Sequence, residues 1–458
     1  MKLKWAQMTV VGLSLVLFVG GNAGADGGSP GTDALIKQLQ NRLDVLEKKV
    51  AEQDAYIKSQ QQAAQAQENK IKTYEERLSD FDQQLHRETK VPGETGPGLA
   101  IGAGGSLIVQ GTTNTNANDS KKSDRADVSY SADVTLEKSF GDVNGRAFLH
   151  LETGKGIGLE DKLSLYSNVN RDQDNDETVR VTELWYEQLF AGEKAILTFG
   201  KLDPTAYFDN NEAANDETTQ FLARMFRNNP AIEFPDNAAG LRASYSWTDW
   251  LETGYGIFDA DADWENIGDN LFHISEVTFK TKFFGQAGHY RFFGWRNGAN
   301  HTKWLATEKN KETNFGAGLS FDQHVSAPVL VFLRYGWQNP NVYNPSLTAT
   351  GDLNYSLSQS WSSGVELAGS LWGRQKDVIG LAVGQAIPSL EYKKAGADLD
   401  PARQAKREGH VEGYYRLTIN DHLAISPDVQ YIWNAFGDDV VSDSDPIWVY
   451  GTRAQVDF

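Results

Sequence analysis

The sequence predicts an all-β protein: a closed, 16-stranded antiparallel transmembrane β-barrel preceded by an α-helical coiled coil. Three observations lead there. From residue 101 to the C-terminus, apolar and polar residues alternate with a period of two over sixteen short segments. The connections between those segments alternate strictly between long and short, as in an even-stranded outer-membrane barrel. No stretch approaches the roughly 18 apolar residues of a spanning helix, which leaves a closed barrel as the way to cross lipid.

The chain opens on an export signal. Lys2 and Lys4 precede an apolar run from Val10 to Val19, and Ala23-Gly24-Ala25 fits a small-x-small cleavage site, so residues 1–25 read as a signal peptide. Cysteine is absent, which excludes lipid anchoring through a thiol, disulfides and thiolate metal sites. The formal charge is -19, and removing a signal that holds two lysines and no acids takes it to -21. So acidic a chain argues against nucleic-acid binding. Aromatics are abundant, with 12 Trp, 17 Tyr and 22 Phe, as interfacial girdles require.

Residues 33–88 carry a heptad. Ile36, Leu43, Val50, Ile57, Ala64, Ile71, Leu78 and Leu85 fall at a, while Leu39, Leu46, Gln53, Gln60, Gln67, Tyr74 and Phe81 fall at d. Alternating steps of three and four keep one seam facing a partner, which predicts a left-handed coiled coil, in the periplasm if the rest is an outer-membrane barrel. A single amphipathic helix folded on the barrel is the alternative. The isoleucines at a lean towards three strands, and so towards a homotrimer. Pro92-Gly93 and Gly96-Pro97-Gly98 then mark a linker over 89–99 and a boundary with a barrel domain over 100–458.

The expected strands are 101–112, 126–138, 143–154, 179–190, 194–202, 239–247, 251–258, 273–284, 286–297, 313–322, 327–338, 357–369, 376–387, 408–419, 422–433 and 447–458. The last is the clearest. Trp448, Tyr450, Thr452, Ala454, Val456 and Phe458 share one face, and Gly451, Arg453, Gln455 and Asp457 the other. A soluble secreted sandwich or solenoid is the rival, but no repeat of solenoid length appears.

A sixteen-stranded lumen is too wide for side chains to fill, so function rests on what narrows it. The longest connection, 203–238, carries Tyr207, Phe208, Phe221, Leu222 and Phe226, which would fold it inward. An extracellular flap is the bland alternative. Candidate pore and constriction residues are Asp216, Glu217, Arg224, Arg227 and Asn228 on that loop. Arg242, Arg334, Glu412 and Arg416 join them from the inward strand faces. Both signs of charge point inward, and so, by parity, do Trp185, Phe148 and Phe258; aromatic faces beside acids and amides suit sugars. Two acidic runs, Asp172/Asp174/Asp176/Glu177 and Asp259/Asp261/Asp263/Glu265/Asp269, read first as solvated charge and second as calcium ligands. No His-Glu-x-x-His or Gly-x-Ser-x-Gly pattern suggests an enzyme, and no catalytic residue, metal site or cofactor is expected.

Several segments resemble the carbohydrate-selective porin family, OprB. They are Phe199-Gly-Lys-Leu-Asp203, Asn215-Asp-Glu-Thr-Thr-Gln-Phe-Leu222, Asn228-Asn-Pro-Ala-Ile232, Glu412-Gly-Tyr-Tyr-Arg416 and Ile425-Ser-Pro-Asp-Val-Gln-Tyr431. The resemblance implies a sixteen-stranded barrel, often trimeric, passing monosaccharides by facilitated diffusion. It also implies that barrel-assembly machinery recognises the terminal strand ending in Phe458. Some relatives with N-terminal extensions hold the cell wall, and some pass inorganic ions. The expected partners are therefore small sugars or other small hydrophilic solutes, outer-membrane lipid, and peptidoglycan through the coil. The competing readings are an ion-permeable pore, or an outer membrane–peptidoglycan tether in which the coil is the working part.

Overall fold

A computed structural model describes residue 48 and residues 94–96, 98–117, 125–173, 177–283, 285–345, 354–439 and 445–458. The chain divides into two units, 1–82 and 83–458. Of the first only Lys48, helical and exposed, is described. The signal peptide at 1–25, the coiled coil at 33–88 apart from Lys48, and the first part of the linker at 89–99 thus lie outside the described residues.

The second unit is a barrel. Its strands are β1 (Leu99–Thr112), β2 (Ala126–Phe140), β3 (Gly145–Lys155), β4 (Arg180–Phe190), β5 (Ala195–Leu202), β6 (Ala238–Thr248), β7 (Leu251–Asp259) and β8 (Leu271–Phe283). Then follow β9 (Gln286–Lys303), β10 (Glu312–Ser326), β11 (Val329–Gln338), β12 (Leu357–Ala368), β13 (Val378–Pro388), β14 (Glu408–Thr418), β15 (Leu423–Trp433) and β16 (Ile447–Asp457). Each pairs antiparallel with the next, and β16 closes on β1 from Val449↔Thr112 to Asp457↔Gly104. Closure leaves no strand edge unpaired, the condition for a sheet to persist in hydrocarbon. Two further short segments join the sheet: Glu94–Gly96 beside the start of β1, and Val342–Tyr343 beside the end of β9.

Alternation sorts the two faces. On β16, Trp448 and Tyr450 are exposed on the outer face while Arg453 and Gln455 are buried inside. On β1, Leu107 and Val109 point out and Ser106 and Gln110 in. The expected sixteen strands are all present with small boundary shifts. The largest shift is in β9, expected to end at 297 but continuing to Lys303, where Thr302 and Lys303 pair with Tyr343 and Val342. Residues 298–303, Gly-Ala-Asn-His-Thr-Lys, carry no apolar alternation, so the two-residue period gives no sign of this extension at the long-loop end. Long connections, of which 203–237 is the longest fully described, gather at one rim, and short turns such as Asp249-Trp250 at the other.

The buried apolar residues are not between sheet layers but within the lumen. One cluster unites Phe221, Met225 and Phe226 of the long 203–237 connection with Leu330 and Phe332 of β11 and Tyr414 of β14. A second joins Phe208 and Ile232 to Phe148, Trp185, Phe258, Phe272 and Trp295. A third packs Leu159, Leu163, Leu165 and Val169 on Ile432, Ile447 and Val449 near the long-loop rim.

The outer face makes one demand that the inner face does not. Leu333→Arg, on the outward face of β11, is expected to destabilise the barrel by about 2–4 kcal/mol, whereas Thr135→Lys, towards the lumen, changes stability little. Urea titrations of the barrel folded into lipid vesicles measure both.

Candidate functional site

The connection 203–237 is organised by its own short-range hydrogen bonds. Asp203 caps a single 3-10 turn, Pro204–Ala206, by accepting the Thr205 N–H at 2.8 Å. The Asp216 carboxylate accepts from the Thr218 N–H at 2.8 Å and from the Thr218 and Thr219 hydroxyls, and Gln220 Oε1 accepts the N–H groups of Asn215 and Asp216. Arg224–Arg227 form one helical turn, with the Arg224 N–H donated to Asn168 Oδ1 at 2.7 Å. Local Asx-type bonds of this kind replace the ladder bonds that the segment gives up on leaving the sheet.

Inward-facing residues of six strands then seat it. The Arg334 guanidinium of β11, with no exposed surface, donates to the carbonyls of Asp209 (2.7 Å), Ala214 and Phe226 and to Asn215 Oδ1, and lies 3.3 Å from the Asp209 carboxylate. Glu412 of β14 accepts the N–H groups of Leu222 (2.5 Å) and Ala223 (3.0 Å). Arg453 of β16 donates to the carbonyls of Glu217 and Gln220. Glu276 of β8 accepts the Asp209 N–H, Ser320 and His324 of β10 hold Asn210 and Glu212, and Ser360 of β12 donates to Asn229. At two contacts the wall has no side chain. A Cβ on Gly336 would stand 2.5 Å from the Asn229 amide, and one on Gly384 2.9 Å from Met225 Cγ. Glycine is required there by close approach, not by an unusual backbone angle.

The loop therefore lies inside the barrel and fills the side lined by β7–β14. The β1–β4 side stays open as a cavity of about 970 Å³. It runs from Gly104 and Asp457 at the short-turn rim to Tyr355 and Ser356 at the long-loop rim. Its wall carries Asp133, His150, Glu152, Arg180 and Glu183, and the loop side presents Asp203, Asp216, Glu217, Arg224, Arg227, Asn228, Asn229, Glu233 and Asp236. Arg227 is fixed among acceptors: Glu217 at 2.5 Å, Thr205 Oγ1 at 2.6 Å, Asp203 at 3.8 Å and Asn228. Asp172, from the connection 156–179, also lines the cavity and accepts from the Ser106 and Ser131 hydroxyls. Burial pushes its carboxyl up to about 7 and Glu217 adds to that, against the pull of the two serines and Arg453.

Of the residues expected from sequence, the structure brings Asp216, Glu217, Arg224, Arg227 and Asn228 together on this cavity. It places Arg334 and Glu412 beneath the loop as anchors. Arg242 sits over the Tyr207 ring at 5.1 Å and 3.9 Å from Glu187, and Arg416 is turned to Gln455 at 3.4 Å. Phe148 and Trp185 stack with centroids 5.0 Å apart, but they are buried with Phe258 under the loop and do not offer open faces to a solute. Asp322 and Glu276 also face inward. Asp322 binds Arg291 at 2.5 Å and His289 at 2.6 Å. The same parity that exposed Arg334 would have found them, since Phe321 and Val277 face out.

Comparison with known proteins follows the same lines. A family model described as carbohydrate-selective porin, OprB family, matches residues 117–458. The high-pH structure of Pseudomonas putida OprB superposes with a TM-score of 0.65 over 79% of this chain and 94% of that one, at 17% identity. The outer membrane channel DcaP of Acinetobacter baumannii matches 80% of this chain and 100% of that one with a TM-score of 0.47 at 12% identity. An uncharacterized protein of Aquifex aeolicus (strain VF5) is 28% identical over 124 residues, so the match spans 26% of this chain and 40% of that relative.

Two outcomes are expected. Arg334→Met strips the loop of its carbonyl contacts and leaves Asp209 buried without its cation. The seated state should lose about 3–5 kcal/mol, seen as higher and noisier single-channel conductance in planar bilayers; an unchanged trace would mean that the remaining anchors suffice. Asp172 is neutral below its raised pKa and charged above it. Permeability for cations over anions should therefore rise from about pH 6 to about pH 8, and Asp172→Asn should flatten that rise.

Proposed function

Because this chain belongs to the carbohydrate-selective porin, OprB family, and is an outer-membrane β-barrel porin, we propose that it passes small hydrophilic solutes, monosaccharides foremost, by passive or facilitated diffusion. The family and fold are those of non-enzymatic channels, and the proposal involves no chemistry. The observation that carries it is the open cavity beside the seated loop, lined from rim to rim by groups of both signs and by amides. A sugar crossing such a constriction exchanges its water for side-chain partners at each step. Carboxylates such as Glu217 and Asp216 accept from its hydroxyls, and Arg224 and Arg227 donate to them. Acidic groups outnumber basic ones in that lining, so small cations are drawn in as well, and the reading for sugars rests on the density of hydroxyl-matched partners.

The same reading gives the chain a cleaved signal at 1–25 and a periplasmic coiled coil at 33–88 that assembles three barrels. The heptad also supports a second role, a link between outer membrane and peptidoglycan.

Liposome swelling tests the first role. Vesicles holding the purified protein should swell faster in glucose than in a zwitterion of equal size; equal rates remove the sugar preference, and no swelling removes the pore. Deleting residues 33–88 tests the second: shed membrane blebs with sugar uptake intact point to a tether, and dissociation of the trimer with an unchanged envelope points to assembly alone.

A further inference from the structure

The connection between β7 and β8, residues 260–270, lies at the long-loop rim. We propose that it binds a divalent cation of the calcium class on Asp259, Asp261 and Asp263. One oxygen from each carboxylate lies within 4.8 Å of the other two. Three acids at alternate positions would ordinarily be a solvated charge run, as the sequence first suggests. What separates this cluster from such a run is Asp259. It has no exposed surface, and its Oδ1 is buried without a hydrogen-bond partner. Its other oxygen accepts the Trp264 N–H at 3.2 Å. An ionised oxygen removed from water and left unpaired is costly, and the charged neighbours acting on it, Asp261 and Asp263, add to the cost. Two remedies exist. Either a proton is shared between Asp259 and Asp261, or a cation sits among the three. Asp263 favours the cation, since a single shared proton leaves its repulsion in place.

The loop holds the acids in a form that leaves oxygens available. Asp261 uses one oxygen to accept from the Asn270 amide at 2.8 Å, and Asp263 uses one to accept the Glu265 N–H at 2.7 Å. The backbone curls through left-handed conformations at Ala262 (φ 56°) and Trp264 (φ 64°), and the Ala260 N–H closes the base on the Asn270 carbonyl at 2.8 Å. All the side-chain donors are oxygens from one short loop. That excludes a preference for zinc or copper and suits an ion with flexible geometry, whose remaining positions water completes. The site is not an EF-hand: Trp264 stands where that loop needs glycine, and Asn270 where it needs glutamate. Three carboxylates without the bidentate glutamate place the affinity in the range of extracellular calcium modules, a Kd of about 10⁻⁴–10⁻³ M. A bound ion would fasten the loop over Phe258 and Phe272, against whose cluster Ala260 and Ala262 pack.

The test uses the full chain in detergent, stripped with a chelator and titrated with Tb³⁺ under tryptophan excitation, with Ca²⁺ and Mg²⁺ as competitors. Trp264 is within the loop and serves as the antenna. Sensitised emission that Ca²⁺ displaces at millimolar levels and Mg²⁺ displaces far less well is the expected result. Trp264→Phe should remove most of the emission and leave the calorimetric heat of Ca²⁺ binding in place. The double variant Asp261→Asn, Asp263→Asn should weaken Ca²⁺ by about tenfold or more while its heat-dependent shift on a gel shows the barrel intact. The proposal is overturned if the double variant binds Ca²⁺ as the unaltered chain does. It is equally overturned if the unaltered chain gives neither emission nor heat up to about 10 mM Ca²⁺, the result expected of a shared proton.

Discussion

Among the contacts that seat the 203–237 loop inside the barrel, one buried ion pair, Arg334 with Asp209, reaches the most of it. Arginine suits the position because its planar fork carries five donors, enough to engage a carboxylate, three main-chain carbonyls and an amide at once. Those carbonyls belong to parts of the loop far apart in sequence, Asp209, Ala214 and Phe226, so a single side chain gathers the loop into one body. Desolvating both charges is costly, and such pairs add little net stability compared with apolar substitutes. Their value is positional. An apolar plug of equal volume would fill the same space without deciding which carbonyls sit where, and so without deciding which face of the loop meets the water.

Closure of the sheet sets the problem that this pair answers. Lipid forces every backbone group of the strands to pair and forces sixteen strands into a cylinder whose lumen side chains cannot fill. The chain answers by sending the 203–237 segment inside and building an apolar core there, with Phe221, Met225 and Phe226 against β11 and β14. The protein thus has two greasy surfaces, one facing acyl chains and one beneath the loop, with the aqueous path confined between the loop and β1–β4.

The barrel was legible because a half-exposed strand repeats every two residues whatever its neighbours do. Strand number, alternate turn lengths and the outward faces of Leu333, Tyr450 and their like follow from that period alone. The lining of the cavity was legible only in part. Periodicity says that Arg334, Glu412 and Arg242 face inward, but not whether each meets water or loop. That depends on the path of a segment whose course is fixed by contacts more than 100 residues apart in sequence, such as Asn211 with Ser320. That Glu217, Arg227 and Asn228 border the cavity could be read because they lie on the loop itself. The six-residue excess of β9 could not be read, because Gly298 to Lys303 carry no hydrophobic alternation and are held in the sheet partly by pairing with Tyr343 and Val342.

Gly336 and Gly384 give the wall its two bare patches, and the loop rests on them through Asn229 and Met225. A side chain at Gly336 would have to displace the Asn229 amide from its place on Ser360, and one at Gly384 would meet the Trp361 carbonyl of the wall itself at 2.8 Å as well as Met225. The fit of insert to cylinder thus rests on missing carbon as much as on contacts made, and it is held at two glycines that are themselves buried.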